Sequence, residues 1–376
     1  MDKRYDLVVF GASGFTGQLI CDYLSKHNDI KNINWAIAGR NKSKLEKIKS
    51  NNTLLKNIDI LFVDSFNHDT IDQMCQSAKL ILSTVGPYSL YGEYLVQSCI
   101  KYSTHYVDLT GEPDFVNTIR NKYSKDAINS NSIIINCCGL ESIIPDIGVF
   151  QTVKKMKSIK KHVTYYMKTK GEISGGTWSS FIHSLSSGAR VIDINKKTYN
   201  KKVKIKKIFY NKELKQWALI FPVIDKQIIY RTSEKFKEYG SEFSFNEYML
   251  MKSLLQLLIL IKGVILIGMF SRFKFIKNWL LSLKPSGSGP NQSKRDTHWF
   301  KAIFIGESEN ERICYKISGG DPGYGETSKF ISEIALCILL QQDKLIEKKG
   351  IMTPVECTGD LLINRLENAG IKFECY

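Results

Sequence analysis

From its N-terminus the chain alternates short apolar runs with stretches in which apolar residues recur every three or four positions. YDLVVF (5–10), INWAIA (33–38), IDILFV (58–63), KLILST (79–84), HYVDL (105–109) and SIIINC (132–137) have the length and composition of strands. Between them, stretches such as QLICDYLSKH and GEYLVQSCIKY carry the spacing of amphipathic helices. This alternation predicts a doubly wound parallel α/β sheet of Rossmann type over residues 1–150, a sheet that binds ligands at the carboxyl ends of its strands.

Beyond Pro145 the period changes. IKKHVTYYMKT (159–169) predicts a strand, SGGTWSSFIHSLSSGA a glycine-capped helix, and VKIKKIFY (203–210) a strand with lysines outward. Residues 299–307 and 312–320 predict an antiparallel pair. Together they predict a second α+β domain, 151–324, built on a mixed or antiparallel sheet that roofs the cofactor and supplies the substrate pocket. Asp321-Pro322-Gly323 then breaks the sheet. A helix capped by Thr327 or Ser328 opens a last segment, 325–376, expected to return to the first domain.

One stretch fits neither pattern: LLQLLILIKGVILIGMF, residues 254–270. A membrane-spanning helix needs about 20 apolar residues and tolerates a central charge badly. A buried core helix would have to hide Lys262. A helix lying on a lipid surface fits better. Lys252, Gln256, Gly263, Ser271 and Lys274 form a polar stripe beside a broad apolar face, and Lys262, off that stripe, can snorkel. SRFKFIKNWLLSLK follows, mixing basic and aromatic residues as membrane-surface segments do. Residues 252–284 are therefore the expected contact with a membrane or lipid droplet.

With 376 residues, 43% of them hydrophobic and 24% charged, the chain is globular, with room for more than one core. Its formal charge of +16 gathers partly in KKTYNKKVKIKK, residues 196–207, either a solvated face or a site for an anionic surface. No nucleic-acid module accompanies the charge, so no nucleic-acid partner is expected. The nine cysteines lack C-x-x-C spacing and the six histidines lack metal-ligand spacing, which predicts reduced core thiols and no metal. Lys3 and Arg4 lead straight into a strand, without a secretory pattern. A cytosolic-side location follows, and homo-oligomerisation stays open.

The candidate chemistry begins at the first turn. Gly11, Gly14 and Gly17 occupy the first, fourth and seventh positions after strand one, where backbone must approach a pyrophosphate at a helix N-terminus. Gly11, Ser13, Gly14, Phe15 and Thr16 are assigned to that group. The second strand ends in Gly39-Arg40-Asn41, where an NAD site would offer a carboxylate. Arg40 can pair with a 2′-phosphate, which favours NADP(H); the plain alternative is a surface charge starting the next helix. At later strand ends, Val85, Gly86 and Pro87, then Gly111, then Gly139 are expected around the nicotinamide. Tyr88, Asp108, Glu112 and Glu141 are the nearby groups able to handle a proton, with Tyr88 and Glu112 the expected catalytic pair. Capping the next helix is the alternative role for each acid.

The chain resembles the saccharopine dehydrogenase-like oxidoreductases, a family that includes trans-acting enoyl reductases of glycolipid assembly. GASGFTG (11–17), AGRN (38–41), VGPYSLYGE (85–93), THYVDLTGEP (104–113), CCGLESIIPDIG (137–148), SGGTWSS (174–180), GSGPN (287–291) and SGGDPGYGETSKF (318–330) carry the resemblance. It implies a Rossmann domain, a second α+β domain, NADP(H), and association with lipid droplets or membranes. By the same resemblance Gly175, Gly176, Thr177 and Tyr324 are pocket candidates. Saccharopine carries several carboxylates, whereas the middle of this chain offers few arginines: Arg190, Arg231, Arg272, Arg295 and Arg312. The expectation is an NADP(H) oxidoreductase acting on a lipid-like acyl or carbonyl substrate. A non-catalytic NADP(H)-binding protein of lipid droplets and saccharopine dehydrogenase itself are the alternatives.

Overall fold

Strands covered by helices on both faces become nearly continuous apolar runs, and the first sheet is built of such strands. In the computed structural model, which describes residues 3–172, 175–187, 206–220, 224–285 and 288–376, β1 (Tyr5–Phe10), β2 (Trp35–Gly39), β3 (Asp59–Phe62), β4 (Ala78–Ser83), β5 (His105–Asp108) and β6 (Ile133–Ile135) alternate with helices. The helices are α1 (Phe15–Lys26), α2 (Lys42–Asn51), α3 (His68–Ser77), α4 (Tyr88–Lys101) and α5 (Pro113–Asn129). The sheet is parallel throughout, in the order β13-β6-β5-β4-β1-β2-β3, where β13 is Gly350–Met352 from near the C-terminus. The order reverses between β1 and β4, which opens a crevice at their carboxyl ends.

α6 (Leu140–Lys155) begins ahead of Pro145 and runs past residue 150, the expected domain boundary. It is buried over most of its length and packs against the second sheet. Gly148 makes that approach possible: a Cβ there would stand 2.1 Å from the Phe304 ring. The second sheet is mixed, in the order β14-β12-β11-β7-β10-β9-β8. Its members are β7 (Lys160–Lys170), β8 (Ile208–Asn211), β9 (Gln216–Ile220), β10 (Glu242–Met251), β11 (Trp299–Glu307), β12 (Arg312–Gly319) and β14 (Lys372–Cys375).

Sequence patterning anticipated β7, β11 and β12 but not the interior strand β10, whose run is interrupted by Asn246 and Glu247, both buried. The expected lysine-faced strand is described only from Lys206, and the 196–205 basic patch and Arg190 lie outside the described residues. The C-terminal segment divides between the two sheets. α12 (Gly325–Leu340) packs on α1, β4 and β5, and β13 extends the first sheet, as expected of a returning tail. α13 (Pro354–Thr358) and α14 (Asp360–Asn368) follow, but β14 joins β12 of the second sheet, which corrects the expectation that the whole tail returns to the first.

The apolar run forms α9 (Leu254–Phe270), followed by α10 (Lys274–Ser282) and the short α11 (Gln292–Arg295). The buried-core reading of α9 fails: Leu257 is its one fully buried side chain, while Leu255 and Ile259 are 66% and 63% exposed. No helix among the described residues is long and apolar enough to cross a membrane. At about 100° per residue, the exposed Leu255, Leu258, Ile259, Ile265, Leu266 and Met269 share one face about 120° wide, with exposed Lys262 in its middle. α9 and α10 rest on α7 (Gly175–Ser187), where the Trp178 indole N–H donates to the Leu280 carbonyl.

Candidate active site

At the end of β1 the backbone turns too sharply for a side chain. Gly11 has φ +89°, and a Cβ there would meet the Thr84 hydroxyl at 2.5 Å and the Val85 side chain at 2.9 Å. Gly17 packs α1 onto the turn, since a Cβ on it would lie 2.3 Å from the Gly11 carbonyl oxygen. Gly14 caps α1 with no side-chain hydrogen bond, so the N–H groups of the first turn remain for a ligand. Ser13, Phe15 and Thr16 are half-buried around that opening. Gly39 ends β2 beside Ser13: a Cβ there would be 3.7 Å from the Ser13 hydroxyl. Arg40 projects into solvent next to it, while Asn41 caps α2 by accepting from the Lys44 amide (3.0 Å). A glycine cradle, an uncapped helix N-terminus and an unshielded arginine beside the turn together fit the pyrophosphate and 2′-phosphate of NADP(H).

The structure gives the expected catalytic pair other work. Tyr88 is buried, and its hydroxyl donates to the Ser83 carbonyl (3.1 Å) and accepts from the Leu109 amide (3.2 Å). It ties the end of β4 to the end of β5, and burial pushes its hydroxyl pKa well up. Glu112 accepts from the amides of Tyr88 (2.8 Å) and Ser89 (2.9 Å), capping α4 from a loop 23 residues away. The expected cap of the next helix is corrected: Glu112 precedes α5 without a side-chain hydrogen bond to it and caps the preceding α4 instead, a distance in sequence that local pattern could not show. Glu112→Ala is expected to lower unfolding stability by about 1–2 kcal/mol, the usual loss of a helix cap, measured by denaturant melts. Glu112→Gln, which keeps one acceptor, is expected to lose less and to retain turnover. Abolished turnover in the folded Gln variant would restore a catalytic role.

Asp108 is likewise structural in its contacts. One carboxylate oxygen accepts from the amides of Thr110 and Cys137 (both 3.0 Å), the other from the Asn136 amide nitrogen (2.7 Å) and the Tyr106 hydroxyl (3.0 Å). Complete burial outweighs these donors and pushes its pKa up to about 6. It fixes the turn after β6, where Cys137 adopts φ 64°.

Past that turn, Gly139 leaves room that a side chain would fill, since a Cβ on it would lie 2.8 Å from the Glu141 carboxylate. Glu141 sits in the first turn of α6, reached by solvent yet crowded by protein, and the loss of surrounding water raises its pKa. The neighbouring Ser142 hydroxyl donates to Asp225 (3.2 Å), the first residue of α8 (Asp225–Lys235). Asp225 is buried, and its pKa is raised well above the ordinary value, first by desolvation and then by the charges of Glu247 and Glu141. The carboxyl end of β6 thus carries acids that hold protons beyond the usual carboxylate range. Glu141 was among the groups the sequence singled out; Asp225 and Glu247 belong to distant elements and were not.

The second sheet closes on the same turn. Tyr324, at the start of α12, meets Phe15 edge to face at 4.9 Å, and Thr327 accepts from the Leu140 amide (3.4 Å). Asp321 caps α12 through the amides of Tyr324 and Gly325 and hydrogen-bonds His298 (2.7 Å). Gly289 lies against the Phe15 ring, and the Gly175 amide donates to the Ser288 carbonyl. Gly175 therefore stands next to the segment that covers the turn, with Gly176 and Thr177 following in α7. Gly86 and Gly111 are exposed at the ends of β4 and β5, with Val85 and Pro87 half-buried.

Residues 7–134 match the family model of the saccharopine dehydrogenase NADP binding domain. Over 99% of this chain and 97% of the relative, the sequence is 28% identical to the saccharopine dehydrogenase-like oxidoreductase of Bos taurus. Over 99% of this chain and 98% of the relative, it is 26% identical to a lipid droplet localized protein of Caenorhabditis elegans. Its fold is similar to the apo saccharopine dehydrogenase (L-Glu forming) of Saccharomyces cerevisiae, with TM-score 0.59 and 13% identity over 99% of this chain and 100% of that one.

Proposed function

We propose that this chain, which is similar to the saccharopine dehydrogenase-like oxidoreductases, is an enzyme of that kind and transfers hydride between NADP(H) and an apolar acyl or carbonyl lipid at a membrane or lipid-droplet surface. The observation that carries the lipid reading is the exposed apolar face of α9. A monomeric soluble protein rarely shows so large an apolar patch to water. α9 and α10 stand on α7, and α7 opens beside the segment covering the cofactor turn, so a lipid entering along this hairpin arrives near the site. Polybasic residues support the same surface: Arg272, Lys274 and Lys277 follow α9, and each such charge contributes about 1 kcal/mol near an anionic leaflet.

Bound NADPH supplies the hydride. In the reduction of a carbonyl, carbon gains that hydride and oxygen gains a proton; in an enoyl reduction the proton goes to the neighbouring carbon. The chain must deliver the proton, and Glu141 is the group suited to it. It lies on an exposed residue at the start of α6, yet its carboxyl is crowded by protein, and the resulting desolvation favours its protonated form. Asp225 and Glu247 behind it make the end of the site electronegative whenever they ionise, which discourages a substrate rich in carboxylates. Two of the arginines in the middle of the chain are engaged with carboxylates away from the site. Arg231 pairs with Glu356 (3.1 Å), and Arg312 pairs with Glu213 and Glu307.

The test is NADPH consumption by the purified protein on phospholipid-coated emulsions carrying a cellular lipid extract, with the product identified by mass spectrometry. Turnover with an acyl or carbonyl lipid and none with saccharopine is expected. NADPH binding without consumption on any extract would leave a non-catalytic NADP(H)-binding protein, and turnover of saccharopine would overturn the substrate class.

A further inference from the structure

Arg295 sits half-buried at the end of α11, its guanidinium 5.7 Å from the centre of the Phe15 ring. It donates to the Pro290 carbonyl (3.0 Å) and to the Gln292 side chain, and among the described residues it pairs with no carboxylate. The other inward arginines are matched: Arg231 by Glu356, and Arg365 by Glu333 and Asp29. A partly desolvated cation left without a counter-charge is unfavourable unless an anion completes it. Here the cation stands against Phe15, the first residue of α1, where uncapped N–H groups already present positive charge. Two positive features therefore meet at Phe15, and among the described residues no carboxylate pairs with the guanidinium.

We infer that Arg295, from the segment joining α10 to β11, is a ligand of the cofactor's pyrophosphate. The second domain then contributes directly to holding the dinucleotide. Gly289 and Tyr324 fix the Phe15 ring from that same side, so the ring sets the height at which Arg295 stands over the turn. A planar guanidinium suits a diphosphate because it offers parallel N–H donors to two oxygens. Arg40 would read the 2′-phosphate at the far end of the same molecule. The inference rests on the NADP(H) reading of the site, and separate fragments of the cofactor distinguish the two.

ADP-ribose carries the pyrophosphate without a 2′-phosphate, and 2′-AMP carries the 2′-phosphate without the pyrophosphate. By calorimetry, Arg295→Gln is expected to weaken ADP-ribose and NADPH by roughly tenfold or more and to leave 2′-AMP unchanged. Arg295→Lys is expected to recover part of the loss, as a point charge without the fork. Arg40→Asp is expected to do the reverse, weakening 2′-AMP and NADPH while sparing ADP-ribose. Unaltered ADP-ribose binding in Arg295→Gln would overturn the assignment. So would an equal loss for both fragments, which marks a disturbed fold. A wild-type protein that binds neither fragment would remove the cofactor reading and this inference together.

Discussion

Glu141→Gln is expected to lower turnover by roughly 10²–10⁴-fold, the range supplied by a positioned general acid, while NADPH affinity stays near wild type. Glutamine keeps the size and hydrogen-bonding outline of the side chain but has no acidic proton. Wild-type turnover should fall as pH rises through the raised pKa of Glu141, because the donor is lost on ionisation. The variant should lack that limb. Stability gives an independent sign: the folded protein holds this proton more tightly than the unfolded chain, whose carboxyl titrates near 4.5. Ionised Glu141 therefore costs stability above its raised pKa, and the cost is absent below the unfolded value. The neutral variant should melt no lower than wild type at neutral pH, so lost turnover cannot be assigned to unfolding. Turnover and pH profile both unchanged would remove Glu141 from the reaction.

That assignment shows where sequence reasoning reached and where it stopped. The dinucleotide turn was legible because its constraint is local: Gly11, Gly14 and Gly17 lie within seven residues, Gly11 with a positive φ and the other two where a Cβ would crowd the Gly11 carbonyl oxygen. The parallel sheet was legible because strands buried on both faces are apolar throughout. The proposed proton donor was not, since sequence places Tyr88, Asp108, Glu112 and Glu141 alike at strand ends. What separates them is contact with distant chain. Glu112 finds amides 23 and 24 residues upstream, Tyr88 spans two strands, and Asp225 comes to Ser142 from 83 residues away. β10 escaped notice for a related reason. Asn246 and Glu247 interrupt its apolar pattern, and only the packed sheet shows that both are buried. Arg295 lies some 280 residues from the ring it stands over, beyond any local signal.

Ile259→Glu combined with Leu266→Glu is expected to reduce binding to lipid emulsions by roughly 100-fold or more, measured by flotation. Transfer of an aliphatic side chain from water is worth about 1.5–3 kcal/mol when complete, and two are removed from the exposed face. Because both side chains point away from the protein, the melting temperature and turnover of a water-soluble short-chain substrate should hold. Unchanged flotation would mean that something other than lipid covers this face; a second copy of the chain would then appear as a dimer in sedimentation. Lys262 makes the prediction sharper, since it stands in the middle of the same face. Its apolar stem can lie in the interface while the ammonium reaches the headgroups. Lys262→Leu should therefore strengthen binding to neutral phosphatidylcholine emulsions, by removing a charge that must be kept hydrated. On emulsions rich in phosphatidylserine the same change gives up about 1 kcal/mol of attraction, so the gain should shrink or reverse. A lysine buried against another protein would show no such dependence on lipid charge.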